Sequence, residues 1–187
     1  MDDEDDADLL RAHGAGDPRA FERLYDRHDR ALYAYLRRLT GPGGPAEDLH
    51  QETWIAVSKN AAAFDPTKAR FPAWLFTIAR NKAFDHFRRQ KLSVLSAPLD
   101  DADMIPDPGD SPLDHVQSRE SAERITAAVE ALPLEQRGAF LMFAKGGLSL
   151  EEIATATGVT AETAKSRLRY ARAKLRQTLA GERSPHV

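Results

Sequence analysis

Six cations, Lys165, Arg167, Arg169, Arg172, Lys174 and Arg176, crowd one short stretch near the end of this 187-residue chain. Side chains of this kind bind phosphate oxygens and guanine edges through charge-assisted hydrogen bonds, without making or breaking a covalent bond. The element that positions them is legible. Ser149 stands three residues before Glu152, the spacing of a capping box. Gly158 supplies the left-handed residue that ends a helix, Ala154 is small where two helices cross closely, and Val159 plugs the corner. Thr160 caps the helix that follows, whose apolar residues Ala164, Leu168, Ala171 and Leu175 form one stripe. The pattern predicts a helix-turn-helix that lays its second helix in the major groove of DNA.

A second mixture lies upstream. Between Phe71 and Gln90, aromatic residues alternate with Arg80, Lys82, Arg88 and Arg89. Unstacked bases lie on aromatic or guanidinium surfaces while cations follow the backbone, so this composition suits single-stranded DNA. Trp74, Phe84 and Phe87 fall at helical spacing and are expected chiefly in the core; Arg80, Asn81, Arg88 and Arg89 are the better contact candidates.

Other chemistries find little support. The absence of cysteine excludes disulfides, thiolate metal sites and a cysteine nucleophile. His13, His28, His50 and His86 are isolated, without the paired spacing that a metal-dependent nuclease uses. No catalytic residue, metal or cofactor is expected. No apolar run approaches membrane-spanning length, and the acidic start is unlike a cationic signal peptide. A cytoplasmic protein without membrane insertion is expected.

The net charge of −3 conceals strong segregation. Residues 1–17 carry seven acids against Arg11, and 100–123 carry eight against Arg119. Residues 70–91 carry six cations against Asp85, and 160–183 carry seven against Glu162 and Glu182. Basic segments that can neutralise phosphates thus alternate with acidic ones that suppress indiscriminate binding. Residues 93–117 hold four prolines and six aspartates, a composition that sustains neither a helix nor a core. Helical periodicity runs on both sides of them and nothing reads as a strand. The expected fold is all-α: an acidic, disordered head (1–17), a helical domain (18–91), a flexible acidic linker (92–117), a second helical domain carrying the helix-turn-helix (118–181), and a tail (182–187).

Four segments then resemble, in order, those of the sigma-70 family of bacterial RNA polymerase sigma factors, in the small extracytoplasmic-function group that keeps only regions 2 and 4. Residues 45–54, PAEDLHQETW, are similar to the family's D-A-E-D-L-x-Q-E-x-F, and 71–81, FPAWLFTIARN, to F-x-x-W-L-x-x-I-A-R-N. Residues 131–137, ALPLEQR, resemble the entry to region 4, and Ala164 to Arg176 resemble its recognition helix. Departures are Pro45 for the usual Asp, Ala164 for Val, and Thr77 where a basic or bulky residue is common.

The resemblance implies roles. Glu47, Asp48, Gln51 and Glu52 would dock on the β′ clamp helices of core RNA polymerase, with region 4 meeting the β flap. Lys68, Arg70, Trp74, Arg80, Asn81, Arg88 and Arg89 would hold the melted minus-10 element of promoter DNA, helped by the loop from Phe64 to Phe71. Thr160, Thr163, Lys165, Ser166, Arg167, Arg169 and Tyr170 would read the minus-35 duplex. An anti-sigma factor is the implied negative regulator. The alternative from the residues alone is a helix-turn-helix regulator that binds DNA without joining polymerase.

Overall fold

The computed structural model describes residues 5–96 and 124–181, and every regular element among them is helical. The chain order is α1 (Asp6–Gly14), α2 (Pro18–Thr40), α3 (Ala46–Lys59), a short 3-10 turn (Ala61–Ala63), α4 (Phe71–Ser96), α5 (124–130), α6 (Leu134–Gly146), α7 (Leu150–Thr157) and α8 (Ala161–Gly181). Residues 97–117 of the expected linker, 118–123 of the second domain and the tail lie outside the described residues.

The expected disordered head needs correction. Residues 1–4 of it lie outside the described residues, but Asp6–Gly14 is a helix, with Asp6 and Asp8 at its positive N-terminal end and Arg11 and His13 in its last turn. Leu9 and Leu10 are buried completely or nearly so. Asp6 contacts Arg27 at 3.1 Å and His28 at 2.7 Å, and His13 Nε2 lies 2.9 Å from Ser58 Oγ. The acidic run masked one apolar pair, and that pair anchors the helix on α2. Asp17 then accepts from the Arg19 amide, and Pro18 starts α2 at the position where a missing N–H costs nothing.

Helix α2 is the central mast. It buries Ala20, Leu24, Leu32, Tyr35, Leu36 and Leu39 against neighbours on several sides. Helix α3 contributes Leu49, Trp54 and Val57, and α4 contributes Leu75, Phe76, Ala79 and Ala83. Tyr35 and Phe76 meet edge to face with ring centroids 5.1 Å apart. Helix α4 also extends past the expected linker boundary to Ser96. Residues 92–96 contain no breaker; the first proline is Pro98, which disfavours the helical conformation at the residue before it.

In the second half, Gly147 (φ 61°) ends α6 and Gly158 (φ 65°) ends α7 in the left-handed region. Ser149 accepts from the Glu152 amide at 3.2 Å, and the Glu152 carboxylate accepts from the Ser149 amide at 2.8 Å, completing the expected capping box. Ala164, Leu168, Ala171 and Leu175 form the buried stripe of α8.

The two halves share one core. Helix α6 lies along α2, and α7 meets α4. Gly138 lies where α6 faces both α2 and α4, and a Cβ there would make ordinary contact with Leu39 of α2 and Phe84 of α4 at 3.8 Å. Arg137 donates to the Leu39 carbonyl of α2 at 3.0 Å, to the carbonyl of Glu130 at the end of α5, and to that of Leu132 in the turn that follows. Its half-buried guanidinium therefore ties three helices through carbonyls that would otherwise lack partners.

Candidate nucleic-acid and partner interfaces

One face of α3 is buried, through Leu49, Thr53, Trp54 and Val57. Glu47, Asp48, Gln51 and Glu52 stand on the opposite, exposed face, at the spacing that puts helical neighbours side by side. Glu52 reaches Lys82 of α4 at 3.1 Å, whereas Glu47, Asp48 and Gln51 point acceptors outward. Sequence reasoning missed the apolar part of this face. Ile55 is 45% exposed one turn on and borders a hollow lined by Phe21, Tyr25, His50 and Trp54. A lone isoleucine among buried positions carries no signal until the helix phase is known.

The candidate minus-10 residues divide into four groups. Asn81, Arg88 and Arg89 are exposed along α4, Arg88 bonding Asp85 at 2.6 Å. Trp74 is half-buried, 5.2 Å from the Phe64 ring and 6.2 Å from Phe71, which makes it a partly covered platform. Lys68 sits on an exposed loop shaped by Asp65, whose carboxylate accepts from the Thr67 amide and hydroxyl and pairs with Lys68 at 3.3 Å. Those hydrogen bonds from Thr67 hold the Asp65 carboxyl below its usual range.

Arg70 and Arg80 form the fourth group and face the other half of the molecule. Arg70 donates to both Glu152 oxygens, each at 2.7 Å. That bidentate pair lowers the Glu152 carboxyl and raises the Arg70 guanidinium. Arg80, 13% exposed, lies over the Phe84 ring at 4.1 Å and donates to Glu135 at 3.2 Å.

On α8, the Thr160 hydroxyl accepts from the Thr163 amide at 3.2 Å, so both threonines are engaged in the cap. Lys165, Arg169 and Tyr170 are exposed and Ser166 is half-buried. Arg167 differs: it is 20% exposed and sits 3.0 Å from Glu135 rather than on the open face. Arg172, outside the expected reading set, stacks over Phe143 at 4.7 Å and joins Lys165, Arg169 and Arg176 along one cationic edge. Among the described residues no group of histidines and acids forms a metal site, and no helix is long and apolar enough to cross a membrane.

Two family models match the chain: Sigma-70 region 2 over residues 24–92 and Sigma-70, region 4 over residues 122–175. The chain is also 34% identical over 174 residues to the ECF RNA polymerase sigma factor SigM of Mycobacterium tuberculosis, spanning 93% of this chain and 84% of that protein. The chain belongs to the sigma-70 family, in its extracytoplasmic-function group. This sigma factor is likewise 34% identical over 173 residues to SigL of Mycobacterium tuberculosis, across 91% of its own length and 96% of SigL. It shares its fold with CnrH, solved in complex with the cytosolic domain of CnrY, at a TM-score of 0.69 and 26% identity over 95% of this chain and 99% of CnrH. The sigma factor RpoE, solved with the anti-sigma factor NepR from Bartonella quintana, superimposes at 0.67 with 28% identity over 87% of this chain and 98% of RpoE. Most of α2, all of α3 and most of α4 fall in the region 2 match, and α5, α6, α7 and most of α8 in the region 4 match.

Proposed function

We propose that this sigma factor docks on the β′ clamp helices of core RNA polymerase through Glu47, Asp48, Gln51 and Glu52, with Ile55 and the neighbouring hollow as the apolar centre of the contact. The observation that carries the reading is the uncovered acidic face of α3. Charged rim residues steer and orient a basic partner, and the apolar hollow supplies area to bury. Region 4 meets the β flap and places α8 in the minus-35 major groove. Lys165, Ser166 and Arg169 read base edges, Thr163 and Tyr170 contact the backbone beside them, and Thr160 fixes the helix start. Arg167 acts through Glu135, in support of α8.

Helix α4 and the loop before it hold the opened minus-10 strand. Lys68, Arg70, Arg80, Arg88 and Arg89 follow phosphates, Asn81 bonds a base edge, and Trp74 offers a stacking surface. The chemistry is binding and strand capture, carried out in the cytoplasm. CnrH and RpoE were each solved with a partner, NepR being named an anti-sigma factor. By that likeness an anti-sigma factor restrains this chain as well. The test is a pull-down of core polymerase subunits by the purified chain. Retention of core supports the reading; a chain that binds DNA as a symmetric dimer and retains no core is instead an independent regulator.

A further inference from the structure

The loop from Phe64 to Phe71 begins and ends on aromatic rings that border the Trp74 platform. Its backbone hydrogen bonds are local: the Phe64 amide donates to the Ala61 carbonyl, and the Lys68 and Ala69 amides donate to that of Asp65. Such bonds shape a turn without fixing where it stands. Its place is decided by packing at its two ends, together with the Arg70 bond to Glu152. Both ends lead back to α1, a helix that lies ahead of the region 2 match, which starts at residue 24.

At the leading end, α1 packs directly on the 3-10 turn that opens the loop. Ala7, Leu10 and Gly14 face Ala61, Phe64 and Pro66 across one shallow hollow, and a Cβ on Gly14 would rest against the Ala61 Cβ at 3.9 Å. At the trailing end the connection passes through one histidine. Asp6 Oδ2 lies 2.7 Å from His28 Nε2, and the two side chains are only 18% and 17% exposed. The His28 ring lies against Phe71, with centroids 5.2 Å apart and planes tilted by 53°. Phe71 is buried, and its centroid is 6.1 Å from that of Phe64 and 6.2 Å from that of Trp74. A carboxylate bonded to one ring nitrogen fixes how an imidazole faces, and close-packed rings pass a displacement on rather than absorb it. Helix α1 is itself a poor DNA contact, since Asp6 and Asp8 in its first turn repel phosphates.

We propose that α1 is the positioning element of the minus-10 grip: Leu10 sets the leading end of the loop, the pair of Asp6 with His28 sets the trailing end, and together they hold Phe64, Phe71 and Trp74 in place for an unstacked base. This rests on the minus-10 role proposed above for the loop and Trp74. Asp6, Leu10 and His28 are positioning residues that act through other side chains.

The full chain is tested with core polymerase on a promoter recovered from a randomised DNA library by transcription with the wild-type chain. Permanganate reactivity of thymines reads strand opening, footprinting at minus-35 reads upstream binding, and circular dichroism checks helix content at the assay temperature. Leu10→Ala and His28→Ala are each expected to lower minus-10 opening about tenfold at equal minus-35 occupancy, the size of losing one stacked base. Asp6→Asn should show a smaller loss of the same kind, and Asp6→Glu, which returns the charge, should recover most of it. The comparison of Asp6→Asn with Asp6→Glu carries the test should Leu10→Ala or His28→Ala lose helix content. Opening equal to wild type in Leu10→Ala overturns the leading tie, and in His28→Ala or Asp6→Asn the trailing one. Opening and minus-35 occupancy that fall in step overturn the whole inference, because α1 then supports the fold alone. A wild-type chain that retains core but opens no strand contradicts the minus-10 role itself, an outcome distinct from variants that open as well as wild type.

Discussion

Asp48 illustrates what one residue decides. It stands exposed beside Glu47 at the start of α3, away from the buried Leu49 and Thr53, so its acceptors are open to the partner proposed above. Asp48→Arg is expected to weaken core polymerase binding by about 1.5–3 kcal/mol, with further loss from repulsion, while thermal unfolding of the isolated chain is unchanged. Unaltered affinity for core would remove Asp48 from the interface. Lys165 and Arg167, two residues apart on α8, are expected to behave differently because only Lys165 is exposed. Lys165→Ala should cost about 1–3 kcal/mol and relax preference at one minus-35 position. Arg167→Ala should instead lower stability, since it leaves Glu135 without its partner in region 4, and leave base preference intact. Binding of a promoter library, together with melting curves, checks both. The sequence placed all six cations on one helix, but the direction of Arg167 depends on Glu135, 32 positions earlier, and no local pattern carries that.

At the scale of elements, local signals were dependable where local chemistry decides. The capping box at Ser149, the Gly158 stop and the buried stripe of α8 all stand as their residue types predict. Helix α1 was hidden because composition outweighed its single Leu9-Leu10 pair, and the end of α4 because a proline-rich segment was given five residues of helix. Leu9→Ala is expected to destabilise the fold by about 2–5 kcal/mol, as deletion within a packed core does; denaturant titration reads this, and a change below about 0.5 kcal/mol would mark the helix as peripheral. Helix α1 should also respond to acid. Burial pushes the Asp6 carboxyl up, but bonds and charges from His28 and Arg27 together hold it below its usual value. A carboxyl lowered in the folded state contributes stability at neutral pH that is lost as pH falls through the folded value. The difference in melting temperature between wild type and Asp6→Asn should therefore be present near pH 6 and shrink toward about pH 3. A difference independent of pH would show that Asp6 anchors nothing by its charge.

For the whole molecule, the acidic and basic blocks along the sequence suggested two helical domains, and region 2 and region 4 occupy those stretches. Their packing on each other was not legible. Arg70 and Glu152 are 82 positions apart, Arg80 and Glu135 are 55 apart, and Glu152 already had a sufficient local reason to be where it is. A residue with two uses discloses only the nearer one to sequence reading. Central to all of this is the claim that the chain gives core polymerase its promoters through an acidic docking face and two DNA-binding helices. The most direct measurement is transcription by core polymerase on genomic fragments from the source organism, with and without the purified chain, mapping transcript 5′ ends. Initiation should appear only with the chain, at discrete start sites sharing two upstream elements, and should vanish with Asp48→Arg at limiting protein. Transcription no different from core alone, at chain concentrations that saturate promoter DNA, would contradict the account.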